Sequence, residues 1–410
     1  MNRLVCNSTD AIDPSDLPPE HREPGAPARV LFLHSTAVGF STTTANLEHY
    51  AGLRPDIDAV HVRVVDPAWS RWFCKQAPGG GGLWGFDYRY LRHMLAARWH
   101  LRSIVGPGRP LPPERFDVIH IMTQQRGTAV LDLKSPGANS TGAKVAVNLD
   151  ATLANWESMR GHSRLAPRLD HWLERRVLNA ADLVACASEW CAASVEGELG
   201  VDRAKIVIHK PCARAGPSQP PTARADGKLQ LLFVGGVWGD KGGARLLAWH
   251  QARWADRAVL HIVSGSAPTD PSARSVVWHG RVPHERLVGE LLPAADIFVV
   301  PTRWDTFMIA AQEAQAAGVP VVTTRTGGVA EVVRDGVTGF LCDAHDDDAY
   351  VRAVESLLND ATLRQRMGRA ARAHAAESLS ADVWHNHLLD QLVALADGRP
   401  TARRPAAAGP

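Results

Sequence analysis

Short apolar runs recur along the chain, each far enough from the next to leave room for a helix. In the first half they read "ARVLFLHS", "AVHVRVV", "FDVIHIM", "AKVAVNLD", "ADLVACAS" and "KIVIHK". Near-continuous Val, Ile and Leu with little polar alternation is the pattern of strands buried on both faces, as parallel sheets require. Strands alternating with helical stretches predict an α/β domain. A second set follows: "LQLLFVGGV", "AVLHIVSG", "VVWHG", "ADIFVVPT", "VPVVTT" and "TGFLCD". Between the sets lies "ARAGPSQPPTARADGK" (213–228), rich in Pro, Gly and Ala, which reads as a linker. The pattern thus predicts two Rossmann-like α/β domains, 28–212 and 229–380, facing each other across a cleft between strand C-termini, where open α/β sheets bind ligands.

The two ends read differently. Residues 1–27 and 398–410 are polar and Pro-rich, and both are predicted to be disordered. Before the tail, "SADVWHNHLLDQLVALAD" carries Val383, Leu388, Leu389, Leu392 and Leu395 at helical spacing. That predicts a docked helix over about 381–397, able to pack back on the N-terminal domain.

Composition narrows the function without naming it. A chain of 410 residues suits two domains. Its net charge of +2 gives no case for a nucleic-acid partner. The six cysteines, Cys6, Cys74, Cys186, Cys191, Cys212 and Cys342, form no CxxC pair and no zinc-type cluster with histidine, and read as reduced thiols of a cytoplasmic protein. The N-terminal stretch has no apolar signal-peptide region, and no uncharged apolar run reaches about 18 residues, so no membrane span is predicted.

One stretch built like core carries two acids. "PTRWDTFMIAAQEAQAAGVPVV", from Pro301 to Val322, holds Asp305 and Glu313. The strand before it ends at Thr302, and a helix "TFMIAAQEAQAAG" is predicted behind Asp305, closed by Gly318. Asp at a helix mouth is a common N-cap, so capping explains Asp305 as well as ligand binding does. Glu313 lies roughly 12 Å further along the axis at about 1.5 Å per residue. An unpaired carboxylate is costly to bury, so Glu313 either faces solvent or serves a purpose. The free backbone N–H groups of Thr306, Phe307, Met308 and Ile309 would make the helix start an anion site. Two acids with a phosphate-binding turn between them suit a long ligand that carries hydroxyls and a diphosphate, such as a sugar nucleotide.

The run "VVWHGRVPHERLVGELLPAADIFVVPTRWDTFMIAAQEAQAAGVPVVTTRTGGVAEVVRDGVTGFLCDAHDDDAYVRAVESLLND" resembles the donor-binding half of glycosyltransferase family 4, retaining enzymes of the GT-B fold. The matching pieces are consecutive: the "HG-x-VP" turn, "AAD-x-F-VVPT", the acid pair, "A-AG-PVV" and "TGGVAEVV-DG-TGFL". The resemblance implies that Glu313 binds the nucleotide ribose hydroxyls and Asp305 the hydroxyls of the donor sugar. Asp305 is one methylene shorter than the family's usual Glu, and "TFM" (Thr306 to Met308) replaces the usual "GFG". In "FVGGVWGDKGG", Gly235 and Gly236 belong to the donor site by resemblance, and Lys241 with Gly242 matches the family's Lys-Gly, whose cation neutralises the leaving diphosphate. The family's Arg is Gly236 here, so one cation is missing; Arg281, Arg303 and Arg325 are candidates to replace it. By resemblance the base lies near Arg281-Val282, largely against backbone.

The first half matches more loosely. "VAVNLDATLANW" brings Asn148, Asp150 and Thr152 to a strand end that resembles the family's site facing the donor sugar, though the usual His is absent. Asp150 would orient that sugar; a helix cap is the competing explanation. Gly39, in "STAVGFSTTTANLEH", matches the family's Gly-rich acceptor loop. The resemblance implies a nucleotide-diphosphate sugar as co-substrate, a carbohydrate or lipid-linked hydroxyl acceptor, no metal ion and no cofactor. "YRYLRHMLAARWHLR" (88–102) is basic and amphipathic; packing on the sheet and contact with the inner face of a membrane are its two readings. "DDDA" (Asp346 to Asp348) opens a helix, where acids suit the dipole, and is not read as a metal site. Two other classes stay open: a degenerate GT-B protein that binds a sugar nucleotide or a partner without turnover, and a sugar-nucleotide epimerase.

Overall fold

The computed structural model describes residues 3–5, 18, 21–35, 40–64, 115–123, 131, 142–160, 168–212 and 227–405. Gly39 and the segment 88–102 lie outside the described residues. The chain divides into two compact units: Met1–Lys210 with Trp384–Ala406, and Pro211–Val383.

Among the described residues the first unit is built on seven parallel strands: β1 (Arg3–Val5), β2 (Ala28–Ser35), β3 (Ile57–Val64), β4 (Val118–Met122), β5 (Lys144–Leu149), β6 (Leu183–Cys186) and β7 (Ile206–Ile208), in the order β1-β3-β2-β4-β5-β6-β7. All eight residues of β2 are buried, as its unalternated apolar run requires. His61 on β3 and His120 on β4 lie in register on either side of Phe32, with ring centroids 4.7 and 5.4 Å from it. His34 Nε2 and His61 Nδ1 share a hydrogen bond of 2.8 Å. Burial, with Arg63 as the second cause, lowers His61 from the ordinary 6.5 to about 4. Burial and then His61 lower His120 to about 3, and neither of its ring nitrogens has a partner.

The second unit holds β8 (Leu229–Val234), β9 (Ala258–Val263), β10 (Val276–Gly280), β11 (Ile297–Val300), β12 (Val321–Thr324) and β13 (Gly339–Cys342). All are parallel, in the order β10-β9-β8-β11-β12-β13. The winding reverses between β8 and β11, and in doubly wound sheets ligands bind outside the strand C-termini at that reversal. Helices Asp347–Asn359 and Ala361–Ser378 follow β13.

Near both ends, described residues pair with the rest of the first unit. Arg3–Val5 pairs in parallel with β3 as an edge strand. Three residues are too few for a hydrophobic pattern to register. Arg22 pairs with Asp397 at 2.9 Å. In the tail, Arg403 and Arg404 bind Glu189 at 2.7 and 2.6 Å, and the Arg403 carbonyl accepts from the Ile208 N–H on edge strand β7 at 2.7 Å. Charge pairing and an unfilled strand edge fix a segment with no core of its own. Helix Ala381–Ala396 leads into this tail; its Asp390 holds Arg54 at 2.7 Å, and its His385 packs on Tyr50 at 5.3 Å between centroids.

Candidate functional site

Two strand ends of the second unit, those of β8 and β11, come together through glycine. Beyond β8 runs Gly235 to Gly242, ahead of helix Gly243–Trp249. Gly242 has φ +72°, and a Cβ there would sit 2.0 Å from the Pro301 carbonyl oxygen. Only glycine permits both that backbone and that approach. Arg303 N–H and Thr302 Oγ1 donate to the Asp240 carbonyl at 3.1 and 3.2 Å, closing the contact. On the other flank Ser266 Oγ accepts from Trp238 N–H at 2.9 Å and donates to the Gly236 carbonyl at 3.0 Å.

This seating delivers Lys241 to Asp305. Lys241 Nζ donates to Asp305 Oδ2 at 2.6 Å and lies 5.7 Å from the centroid of the Trp304 ring. Asp305 Oδ1 accepts from the N–H groups of Phe307 and Met308 at 3.2 and 3.0 Å. Two of the four N–H groups expected to face an anion are therefore taken by the carboxylate of this same turn. Asp305 closes the turn that precedes the helix rather than capping the helix itself, whose N-cap is Met308, and both of its oxygens are engaged, so a sugar hydroxyl would have to share or displace these partners.

The helix behind it is shorter than its sequence predicts, Ile309–Ala316, because Met308 turns left-handed at φ +44°. The family pattern places glycine here, and a methionine in that region pays a steric cost. Burial holds Met308 in place; it is 5% exposed, and its Sδ accepts from Thr323 Oγ1 at 3.6 Å. A third loop seals the turn: a Cβ on Gly327 would lie 2.1 Å from the Asp305 carbonyl oxygen, and Gly328 N–H donates to the Thr306 carbonyl at 2.9 Å.

Glu313 lies about one turn into this shortened helix. Its side chain is 5% exposed, and its Oε1 accepts from His284 Nε2 at 2.7 Å. Among the described residues Oε2 has no hydrogen-bond partner, and it is not fully enclosed. His284 follows Arg281-Val282-Pro283 and starts a helical turn, His284–Arg286, that runs into a π-helical stretch, Leu287–Leu291. Of the candidate replacement cations, Arg325 is used by Asp335 at 2.9 Å. Arg281 and Arg303 are exposed and make no ion pair with the described residues.

In the first unit the residues after β5 are more structural than expected. Thr152 has no exposed surface; its Oγ1 bonds Ser194 Oγ at 2.7 Å and accepts from Asn155 N–H at 3.1 Å. It caps helix Leu153–Arg160, and its hydroxyl is engaged there. Asn148 is 4% exposed and its Oδ1 bonds His209 Nδ1 at 3.1 Å. Asp150, directly beyond β5, is half-buried. The Cys191 thiol is held well above its ordinary value, first by burial, then by Cys186, with the charges of Asp150 and Glu174 adding to it.

His284 and Trp304 were not legible as site residues. The partner of His284 lies 29 positions away, and Trp304 stands beside Lys241 from a strand end 63 positions on. Among the described residues no group of three or more His, Cys, Asp or Glu is placed to hold a metal ion, and no helix is long and apolar enough to cross a membrane.

The fold and this constellation define a GT-B-type α/β protein, and comparison with known proteins agrees. Residues 4–212 match the family described as "Glycosyl transferase 4-like domain", and residues 272–374 match "Glycosyl transferases group 1". The chain belongs to the family-4-type glycosyltransferases. It is 34% identical over 238 residues to a D-inositol 3-phosphate glycosyltransferase of Acidothermus cellulolyticus, covering 49% of this chain and 52% of that one. The chain spans about half the length of the curated relatives it matches. Among solved structures, sucrose-phosphate synthase from Thermosynechococcus elongatus superimposes with a TM-score of 0.67 at 17% identity, covering 90% of this chain and 99% of that one. HepE from Anabaena in complex with UDP and glucose gives a TM-score of 0.62 at 14% identity, with 89% and 99% covered.

Proposed function

We propose that the protein transfers a sugar, with retention of anomeric configuration, from a nucleotide-diphosphate sugar to a hydroxyl of a carbohydrate or lipid-linked acceptor. The observation that carries this is the arrangement at the mouth of helix Ile309–Ala316. A cation and a carboxylate from two strand ends meet there at 2.6 Å, and about one turn on a nearly enclosed carboxylate keeps one oxygen open. In this reading Glu313 accepts from the ribose hydroxyls, and the backbone at Arg281-Val282 receives the base. Lys241 leaves Asp305 for the diphosphate, and Asp305 turns to the sugar. Fixed charge of this kind stabilises a departing diphosphate in a site that excludes water. The bond from the anomeric carbon to the diphosphate breaks, a bond to the acceptor oxygen forms, and the acceptor proton passes to the leaving phosphate. The reading uses no metal ion and no cofactor, and it places the reaction in the cytoplasm.

A thermal-shift screen with UDP-, GDP- and ADP-sugars identifies the donor, and proton NMR of the product reads its anomeric configuration. A product of inverted configuration contradicts retention. Binding of no sugar nucleotide contradicts the whole reading. A second reading, sugar-nucleotide binding without turnover, is favoured by the mutual neutralisation of Lys241 and Asp305 and by Gly236 in place of an arginine. Donor hydrolysis without acceptor separates the two, because only the enzyme turns the donor over.

A further inference from the structure

We propose that His284 is a positioning residue for donor binding. It fixes the Glu313 carboxylate through one oxygen and leaves the other aimed at the ribose diol. This rests on the reading of Glu313 given above and goes beyond it to a residue that no family motif marks.

The argument begins with the cost of the carboxylate. Glu313 is 5% exposed, and an unpaired carboxylate so enclosed is expensive. Its partner is half-exposed, with 49% of the His284 side chain open to solvent. A carboxylate offers about four acceptor positions on its two oxygens. The imidazole N–H takes one of them at 2.7 Å, on Oε1. Among the described residues Oε2 has no partner, and it is not fully enclosed, so acceptor capacity remains on it for a ligand. A lysine or arginine at the same place would bring several donors and compete with a diol for both oxygens.

The backbone of His284 is also fixed. Pro283, at φ −58° and ψ 146°, caps the helical turn, and its carbonyl accepts from Leu287 N–H at 3.2 Å. Leu287 is 7% exposed and anchors the turn from below. The ring thus reaches Glu313 from a rigid start two residues after Val282. Arg286, two residues on, bonds Glu290 at 3.4 Å. His284 acts on the ligand only through Glu313, so its removal loosens binding of any nucleotide that carries ribose hydroxyls and spares one that lacks them.

The test is calorimetric titration of the full chain with UDP and GDP, then with the 2′,3′-dideoxy form of whichever binds more tightly. His284→Ala is expected to weaken the ribonucleotide about tenfold, the effect of losing a hydrogen bond to a charged group. His284→Gln, which restores an N–H donor at the same reach, is expected to return affinity to within about threefold of wild type. Toward the dideoxy nucleotide His284→Ala should bind as wild type does. Unchanged or tighter ribonucleotide binding by His284→Ala overturns the proposal, as does an equal loss for both nucleotides. Glu313→Ala is run alongside. If it binds the ribonucleotide as tightly as wild type, the site reading itself fails; if it alone loses affinity, only the role of His284 fails.

Discussion

Lys241 and Asp305, 64 residues apart in the chain, meet at 2.6 Å at the joined ends of β8 and β11. Each residue expected to act on the donor is thereby held by the other. The two Asp305 oxygens have separate tasks: Oδ1 caps the turn through Phe307 and Met308, and Oδ2 holds Lys241. Asp305→Asn separates those tasks, because asparagine caps as well as aspartate but carries no charge. Its melting temperature should stay near wild type. Released from its partner, Lys241 should bind a nucleoside diphosphate about two- to fivefold more tightly, in line with a partly screened pair. Lys241→Ala should lose binding and reduce transfer about a hundredfold or more, the usual effect of removing one preorganised charge-stabilising donor. Equal weakening by both variants in calorimetry would show the pair to be a structural unit that never opens.

Met308 should reverse the usual ranking of alanine and glycine. At φ +44° alanine pays the left-handed penalty and glycine does not. Both substitutions lose the buried methionine side chain and its contact with Thr323. Chemical denaturation should therefore find Met308→Gly about 1 kcal/mol more stable than Met308→Ala. The ordinary order, alanine above glycine, would mean that the turn relaxes once the side chain is gone.

The histidine row of the first unit makes stability depend on pH. His61 and His120 titrate when folded at about 4 and about 3, below their ordinary 6.5. The unfolded chain then binds more protons as the medium acidifies. The contribution of these residues is complete above 6.5 and is lost as pH falls towards 4 and 3. Each such proton costs about 1.4 kcal/mol per pH unit within that window. His34 and His209, also lowered by burial, add in the same direction. His120→Leu removes a ring with no partner and should raise the melting temperature more at pH 5 than at pH 8, since pH 5 lies between the folded and unfolded values of His120 and pH 8 lies above both. An equal shift at the two pH values contradicts this account.

Most of the fold was legible because buried parallel strands write themselves as unbroken Val, Ile and Leu, and all twelve such runs became strands β2 to β13. Three-residue β1 was not, nor was the tail held by Glu189, because neither has an apolar pattern. In the site, Asp305 and Glu313 stood out by type and spacing, and Lys241 through the family resemblance. Their pairing did not, since it depends on Gly242 closing against Pro301 and on His284 reaching across 29 positions. The helix start was misplaced because Met308 adopts a conformation that its residue type disfavours. Tertiary enclosure by Thr323 and the Gly327 loop overrides local preference there. Thr152 shows the opposite limit: a polar residue at a strand end looks the same in sequence whether it caps a helix or meets a ligand.

The central claim is that the second unit binds a nucleotide-diphosphate sugar with Glu313 on the ribose. Calorimetric titration of the preferred sugar nucleotide into wild type and Glu313→Ala tests it most directly. The account predicts saturable one-site binding by wild type and a loss of about a hundredfold in the variant, since two hydroxyls lose a charged acceptor. Equal affinity in the two proteins, with both folded, would contradict it.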